Sequence, residues 1–546
     1  MCGIQITFRP KSDCVKSFPR QLTDPSTREI SKLTTVQPCD CFRGSLSLSR
    51  RGPDRCGTAV RTLAFGSLTF QNSQLQLRGA ARSDWSIPVS DLVDGDLLAY
   101  NGEIYSFTET MIVGSDTLWL WNQLRQAKGM PTAICQTLSL LRGPWCAVYW
   151  HHETQTLWIG KDIFGRRSLL LHPPDATSGA FCIASVTPGR KHRCLSWLEI
   201  PPGIHSITWD VDRNAQVNML FSHHAWGDAV PLKIFHFRRR KMTSNCKRLG
   251  NLEATLVTSS KTQRVWGCLD YSMRVRTIRP TQLECTAEIL IHTTFGILFS
   301  GGLDSVLLCA LLHRHIPSEE AVDLYNVCFA GGKSRDRLSA LSAVNELSSV
   351  TPGRRWRLVE INIDKHELKA MEQYIQTLIH PNCSLMDFNI GAALWFAARG
   401  VGKINSTRGD NMNTAYHSRS RVIFSGQGAD ELFGGYSRHR SALSSLGVEA
   451  LTRALRVDLL RLWRRNLGRD DRICSDHGRE FRYPYLDEAL VCEVLDVPTS
   501  SIHELTKICG DKSYLRNLAR HLGLQCTAKK RKIAIQFGSN IAAQHP

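Results

Sequence analysis

No stretch of this chain stays apolar long enough to cross a bilayer as a helix, so no membrane anchor is expected. Nineteen cysteines are present, yet none falls in a CxxC…CxxC or Cys/His cluster with zinc spacing. Cys39 and Cys41 stand without nearby partners and read as ordinary residues. The opening Met1-Cys2-Gly3-Ile4-Gln5 has no charged segment followed by an apolar one, and turns basic by Arg9 to Lys11. A secretory signal is therefore not expected, and the thiols are expected to be reduced in the cytoplasm. Acidic residues are also short, at 49 against 68 basic ones, for a net charge of +19. Such an excess raises nucleic-acid binding. No RNA- or DNA-binding motif accompanies the basic stretches Phe235 to Lys241, Arg461 to Arg465 and Lys529 to Lys532, so no nucleic-acid partner is expected. A solvated or phosphate-facing surface is the simpler reading of them.

What is present is a chain of 546 residues with 42% apolar content, long enough for two to four globular domains. Up to about residue 210, short apolar runs are bounded by Gly, Pro and Asp. Leu97 to Tyr100, Cys146 to Trp150, Thr156 to Ile159 and Phe181 to Ala184 are of this kind, and they predict antiparallel sheet packed on sheet. Between 285 and 430 the pattern changes. Strand-like Gly296 to Phe299, Leu324 to Phe329, Arg357 to Ile363 and Val422 to Phe424 alternate with helix-like Val306 to His313 and His366 to Ile379, which predicts a parallel sheet covered by helices. Beyond 440 the periodicity is helical, as in Leu451 to Trp463 and Tyr514 to Leu522. Residues 215 to 280 fit neither pattern and read as a basic linker or insertion.

A cysteine at the start of a mature chain carries its own base, because an α-amine titrates near 7.7–8.0. Its thiolate can attack a carboxamide, forming a thioester and releasing ammonia. Met-Cys-Gly-Ile alone is a weak signal, but an ordered series follows: Arg50-Arg51-Gly52-Pro53-Asp54, Leu75 to Gly79, Tyr100-Asn101-Gly102-Glu103-Ile104-Tyr105, Gly114 to Thr117, and Asp162 to Arg167. The series resembles the class II glutamine amidotransferase domain, an α+β N-terminal-nucleophile sandwich, over residues 2–205. The chemistry asks for these residue types. Asn101 and the Gly102 N–H can stabilise an oxyanion beside the Cys2 nucleophile. Arg78 can take the α-carboxylate of glutamine, and Glu103 and Asp116 its α-ammonium. Taken alone, Asn101-Gly102 would read as a hairpin turn. Arg51 to Asp54 reads as scaffold, with Gly and Pro fixing the backbone path.

Gly296-Ile297-Leu298-Phe299 runs into Ser300-Gly301-Gly302-Leu303-Asp304-Ser305 and then an apolar helix, a strand–loop–helix cradle for phosphate. It lacks the GxxxxGK[ST] spacing and is similar instead to the SGGxDS loop of ATP pyrophosphatases (an adenine nucleotide alpha-hydrolase-like fold). A second loop, Ser425-Gly426-Gln427-Gly428-Ala429-Asp430-Glu431-Leu432-Phe433-Gly434-Gly435-Tyr436, is similar to the asparagine synthetase signature. Asn466 to Arg472, Ser475 to Gly478, Arg482 to Asp487 and Lys532 to Ser539 fit the same family. The whole most resembles the asparagine synthetase domain-containing protein family. That resemblance implies an α/β parallel-sheet domain over 285–546, joined to the first by a basic linker or insertion over 206–284. It implies ATP binding by Ser300, Gly301, Gly302, Asp304, Ser305, Phe329, Ser425 and Gly426, with Mg²⁺ on Asp304 and Asp430. Gln427, Asp430, Lys530 and Lys532 would form the acceptor and pyrophosphate site, spacing alone leaving open which lysine acts. Glutamine, aspartate and ATP are the expected small-molecule partners, with ammonia passing internally to an adenylated aspartate. The oligomeric state is left open.

Two features depart from the family pattern, Gln427 and the basic stretch 215 to 280 where the two domains should join. Gln427 stands where asparagine synthetases carry a glutamate, so length and hydrogen bonding remain while charge and basicity are lost. Besides asparagine synthesis, two readings stay open: amidation of another carboxylate, and a weakly active scaffold. Arg516 and His439 are assigned structural roles.

Overall fold

The computed structural model describes residues 2–11, 46–78, 86–91, 94–108, 110–174, 179–188, 197–211, 217–227, 260–278, 294–405, 414–503 and 510–544. Two compact units form. The first comprises Met1–Val230, Gln376–Cys383 and Trp463–Gly478, and the second Pro231–Ile375, Ser384–Leu462 and Arg479–Pro546. No helix among the described residues is long and apolar enough to cross a membrane. The described cysteines are free thiols, while Cys39, Cys41 and the run Phe235 to Lys241 lie outside the described residues.

The first unit is built on two six-stranded antiparallel sheets. One has the order Leu198–Glu199, Leu170–His172, Phe181–Ala184, Cys2–Pro10, Gly66–Gln74, Arg55–Leu63. The other runs Val217–His224, Gly203–Val211, Thr156–Lys161, Trp145–His151, Leu97–Gly102, Val89–Ser90. Side chains alternate across a strand, so Ile4, Ile6 and Phe8 enter the core between the sheets with Phe70, Ile183, Val148, Trp150 and Ile159. On the far face of the second sheet, Leu98, Tyr100 and Tyr149 pack against Leu120 and Leu124 of helix Asp116–Gln126 and Ile134 and Leu138 of helix Pro131–Leu140. Strand Val217–His224 lies in a stretch expected to be linker. It pairs with Gly203–Val211 through eight opposed residues and forms the edge of the sheet. One edge strand needs few inward apolar residues, and Met219 is its fully buried one, which is why periodicity missed it.

The second unit has a seven-stranded sheet ordered Thr414–His417, Val401–Asn405, Trp356–Asn362, Val322–Cys328, Phe295–Leu298, Val422–Phe424, Glu480–Arg482. The last five are parallel and the first two antiparallel. Strand Val322–Cys328 is buried at every residue, as a strand covered on both faces must be. From Phe295–Leu298 the chain winds outward to one side and later returns to Val422–Phe424 on the other. The gap between those two strands is the topological switch point, where open parallel sheets bind ligands at their carboxyl ends. A second element of the supposed linker, helix Ser260–Val275, belongs to this unit and buries Val265, Leu269 and Met273.

Ile6 is fully buried opposite Phe70 and Ile183. Ile6→Ala should lower stability by about 2–5 kcal/mol, read as a lower urea midpoint of tryptophan fluorescence. Thr58→Ala, on the exposed face of the edge strand, is the control and should shift it by under about 0.5 kcal/mol. Equal shifts would remove Ile6 from the core.

Candidate functional sites

In the first unit, Cys2 begins the central strand, its Cα opposite Gln74, while its side chain lies outside the described residues. The next residue has to be small. A Cβ on Gly3 would lie 2.6 Å from Ser73 Oγ and 2.7 Å from Leu48 O. The Gly3 N–H donates to Ser73 Oγ at 3.1 Å, and the Ile4 N–H to Ser185 Oγ at 3.1 Å. The strand of Cys2 packs across the sandwich on Leu97–Gly102, which ends in Asn101-Gly102. That dipeptide is no hairpin turn. Asn101 and Gly102 continue the ladder opposite Cys146 and Trp145, and Asn101 is fully buried. Gly102 has φ of +150°, and a Cβ there would sit 2.2 Å from Pro144 O.

Just beyond, the residues expected to hold glutamine form one buried network. Arg78 Nη1 donates to Ile104 O at 2.8 Å and pairs with Glu103 at 3.4 Å, and its Nη2 donates to Ile112 O. Asp116, in the first turn of the helix capped by Ser115, accepts from the Ile104 N–H and the Tyr100 hydroxyl, both at 2.9 Å. Arg78, Glu103 and Asp116 thus meet around Ile104. Tyr100 was not anticipated, although it directly precedes Asn101. Burial and the carboxylates of Asp116 and Glu103 push its phenol well above the ordinary tyrosine range.

In the second unit, the Ser300–Ser305 loop joins strand Phe295–Leu298 to helix Leu303–His313, with Gly302 at the N-cap. Gly301 has φ of +71°, and a Cβ on it would lie 2.4 Å from Ala340 N. Ser305 Oγ donates to Gly302 O at 3.1 Å, and the first-turn N–H groups have no partner within the helix. The loop borders a cavity of about 430 Å³ lined also by Asp336, Ser339, Lys512, Lys530 and Lys532. Lys512, which the sequence did not single out, is the centre of its charge. Its Nζ lies 2.7 Å from Asp304 Oδ2 and 2.6 Å from Asp430 Oδ1, while Lys532 reaches Asp430 Oδ2 at 2.7 Å. Lys512 itself adopts a left-handed φ of +53°, uncommon outside glycine, immediately before helix Ser513–His521. Gly435 makes room for the pair, since a Cβ there would lie 2.0 Å from Asp430 Oδ1 and 2.2 Å from Lys512 Cε.

The two C-terminal lysines divide their work. Lys530 Nζ donates to Gly301 O at 2.9 Å and Ser339 O at 3.0 Å, so it clamps the Ser300–Ser305 loop, while Lys532 faces Asp430. The second loop abuts the first: a Cβ on Gly426 would lie 3.2 Å from Asp304 Cβ. Gln427 is half-buried there, its N–H directed to Ser425 Oγ at 3.4 Å, and the Ser425 N–H donates to Arg482 O at 2.9 Å. Phe329 stands apart. Its N–H donates to Ser539 O at 2.9 Å and its ring packs edge-on against Phe396. Arg516 is tied to Asp511, Ala528 O and Lys530 O and also lines the cavity, and His439 is held by Asp458 at 2.7 Å.

Electrostatics sort the acids. Burial alone would raise Asp430, but Lys512 and Lys532 hold it below the usual carboxylate range. Burial, with Asp430 adding to it, pushes the neighbouring Glu431 up to about 7, where Tyr436 donates to it at 2.6 Å. Burial likewise raises Asp336 to about 7, against the pull of Lys532. Burial would lower Lys512, but Asp304 and Asp430 outweigh it and keep the ammonium charged. Unpaired amides beside three lysines suit a polyphosphate. Among the described residues no group of three or more His, Cys, Asp or Glu could hold a metal by itself. Asp304 and Asp430 sharing one cation fit Mg²⁺, which ordinarily takes one or two carboxylates and completes its shell with phosphate oxygens and water.

A family model described as asparagine synthase matches residues 410–448 and 444–540. The chain is 31% identical to asparagine synthetase domain-containing protein 1 of Gallus gallus, over 92% of this chain and 94% of that one. It is 30% identical to an asparagine synthetase domain-containing protein of Drosophila melanogaster, over 91% and 93%. To the glutamine-hydrolyzing asparagine synthetase of Gallus gallus it is 25% identical, over 73% and 64%.

The raised Asp336 carboxyl has a consequence for stability. Its folded pKa lies above that of an unfolded aspartate, near 3.9, so the fold binds the extra proton between those values. Through this group the wild type should lose stability as pH climbs from about 4 to about 7, and Asp336→Asn should lack that part of the loss, Glu431 contributing equally to both proteins. Thermal melts at pH 4.5 and 8 check this: the variant's advantage should grow with pH, and a constant difference would contradict it.

Proposed function

The chain belongs to the asparagine synthetase domain-containing protein family, and from that premise we propose that it is a glutamine-dependent, asparagine synthetase-type ligase. The observation that carries the reading is Lys512, which draws Asp304 and Asp430 from the two loops at the switch point onto one ammonium beside a cationic cavity. This is a place where a triphosphate and an acidic acceptor can be held together. In the first unit, with its two antiparallel sheets packed face to face, Cys2 attacks the glutamine carboxamide once Met1 is removed, its α-amine taking the thiol proton. Asn101 and Gly102 stabilise the oxyanion, and Arg78, Glu103 and Asp116 bind the amino-acid end. The thioester is hydrolysed to glutamate, and ammonia is the second product.

In the second unit the aspartate β-carboxylate attacks the α-phosphorus of ATP, forming β-aspartyl-AMP and releasing pyrophosphate. Ammonia displaces AMP from that anhydride to give asparagine. Asp304 and Asp430 would hold Mg²⁺, which neutralises phosphate charge when bound. Lys530 fixes the loop that holds the phosphates, and Lys532 and Lys512 offset charge on the leaving pyrophosphate. Gln427 favours a second reading, in which the same two half-reactions amidate a different carboxylate, because its side chain brings no charge or basicity to the acceptor loop.

The decisive assay supplies aspartate and ATP with either glutamine or ammonium and follows asparagine, AMP and pyrophosphate together. Cys2→Ala should lower glutamine-dependent synthesis at least about 10³-fold while ammonium-dependent synthesis persists. Glutamate release without asparagine from either nitrogen source would favour the other acceptor. Gln427→Glu should raise amide transfer by about tenfold, and an unchanged rate would show that position 427 does not limit it.

A further inference from the structure

The first unit contains a stretch from far along the sequence, Trp463–Gly478. Asp471 within it is fully buried, and its carboxylate accepts from Arg51 Nη2 at 2.7 Å, Arg167 Nη1 at 3.3 Å and the Ser168 N–H at 3.1 Å. Burial would raise this carboxyl, but Arg51 and Arg167 hold it below the ordinary range. Among the described residues Arg51 Nε and Nη1 have no hydrogen-bond partner, so Asp471 is the anchor of that guanidinium there. The neighbouring residues follow the same rule. Arg50 pairs with Asp476 at 3.2 Å and donates to its backbone carbonyl at 3.1 Å. Gly478, at φ of +62°, comes so close to Pro53 that a Cβ would lie 3.1 Å from Pro53 Cγ. Arg50, Arg51 and Pro53 all rest on Asp471–Gly478.

From that turn the path to the nucleophile is short. Arg51 ends helix Leu46–Arg51, and Leu48 O in that helix accepts from Ser73 Oγ at 2.5 Å. The same hydroxyl oxygen accepts the N–H of Gly3. Gly52 lies so tightly on the next strand that a Cβ would meet Gln74 N at 2.3 Å, and the Asp54 N–H donates to Gln74 O at 3.1 Å. Gln74 is the residue opposite Cys2 in the ladder. We infer that Asp471 is a positioning residue for the Cys2 nucleophile, acting through Arg51 and the Leu48–Asp54 turn to fix the backbone at residues 2 and 3. Apolar side chains would hold the two stretches together without the cost of burying a carboxylate. The charged arrangement adds direction, since the carboxylate is held at once by Arg51 Nη2, Arg167 Nη1 and the Ser168 N–H, three donors that together fix where it lies. The inference rests on the glutaminase reading above, but its structural half can be read without it.

The test uses the full-length chain and the variants Asp471→Asn, Asp471→Glu and Arg51→Lys. Asp471→Asn should lower kcat for glutamine hydrolysis about 10- to 100-fold, with KM for glutamine within threefold. Ammonium-dependent synthesis should stay within twofold, and Asp471→Glu should recover part of the loss. Should Asp471→Asn fail to fold, Arg51→Lys keeps the charge balance but not the reach of Nη2 to the carboxylate, and should show the same split. Hydrogen exchange of the amides of residues 3–8 and 71–74 should quicken at least about tenfold in the impaired variants and return toward wild type in Asp471→Glu. A folded variant with wild-type kcat, or equal losses of glutamine- and ammonium-dependent activity, would overturn the inference. If the wild type releases no glutamate, the glutaminase reading falls. Unaltered exchange in those peptides would then still overturn the positioning role, and quickened exchange would uphold it.

Discussion

The Asp471 carboxylate is taken wholly out of water and set against two guanidiniums, and much of the first unit is arranged to satisfy it. A second acid repeats the device close by. Glu199 sits between Lys161 at 2.8 Å and Arg472 at 2.6 Å, and Arg472 also donates to Leu378 O, Ile379 O and Ser168 Oγ. These charges are costly to bury singly, and removing one partner of such a group costs about 3–5 kcal/mol. That is a large share of the 5–15 kcal/mol typical of a whole domain. Three stretches far apart in the chain are therefore tied together by groups whose removal one at a time strands a buried charge, while the apolar sandwich between the sheets supplies the bulk of the stabilisation.

The second unit meets the same difficulty with opposite geometry. There an ammonium lies between two carboxylates, Lys512 between Asp304 and Asp430, and the acids come from loops at the ends of adjacent parallel strands. The balance is local and close to neutral, two carboxylates facing the ammoniums of Lys512 and Lys532. Lys530 contributes nothing to it, being spent on the backbone of the Ser300–Ser305 loop. The acids left without a cation at close range, Asp336 and Glu431, are those that burial pushes toward neutrality.

How much of this could be read beforehand follows the range of the interactions. The sandwich strands and the parallel strands declared themselves because periodicity is a property of neighbours, and the strand–loop–helix around Ser300 to Ser305 because a glycine-rich turn between a strand and a helix is contiguous in sequence. Gly3, Gly102 and Gly301 belong to motifs for a reason now visible, backbone approaches that leave no room for a side chain. Lys512 could not be read in this way. It is 208 residues from Asp304, and only the fold brings them together. Asp471 and Arg51 are 420 residues apart, each looking like an ordinary charged residue in its own neighbourhood. The strand Val217–His224 and the helix Ser260–Val275 were missed because one edge strand and one half-exposed helix carry weak apolar patterns amid basic residues.

The discontinuity of the first unit has a bearing on how the molecule comes into being. Domains ordinarily fold in order as they leave the ribosome, the N-terminal one first. Here Met1–Val230 emerges without Gln376–Cys383 and Trp463–Gly478, and its buried Arg51 and Arg167 must wait for the Asp471 carboxylate through about 250 further residues of synthesis. At about 5–20 residues per second that is an interval of roughly 12–50 s. During it a nearly complete sandwich carries unneutralised charges in its interior. The nascent chain is thus held short of its final state, and exposed to chaperones and proteases, until the stretch that completes it has been translated.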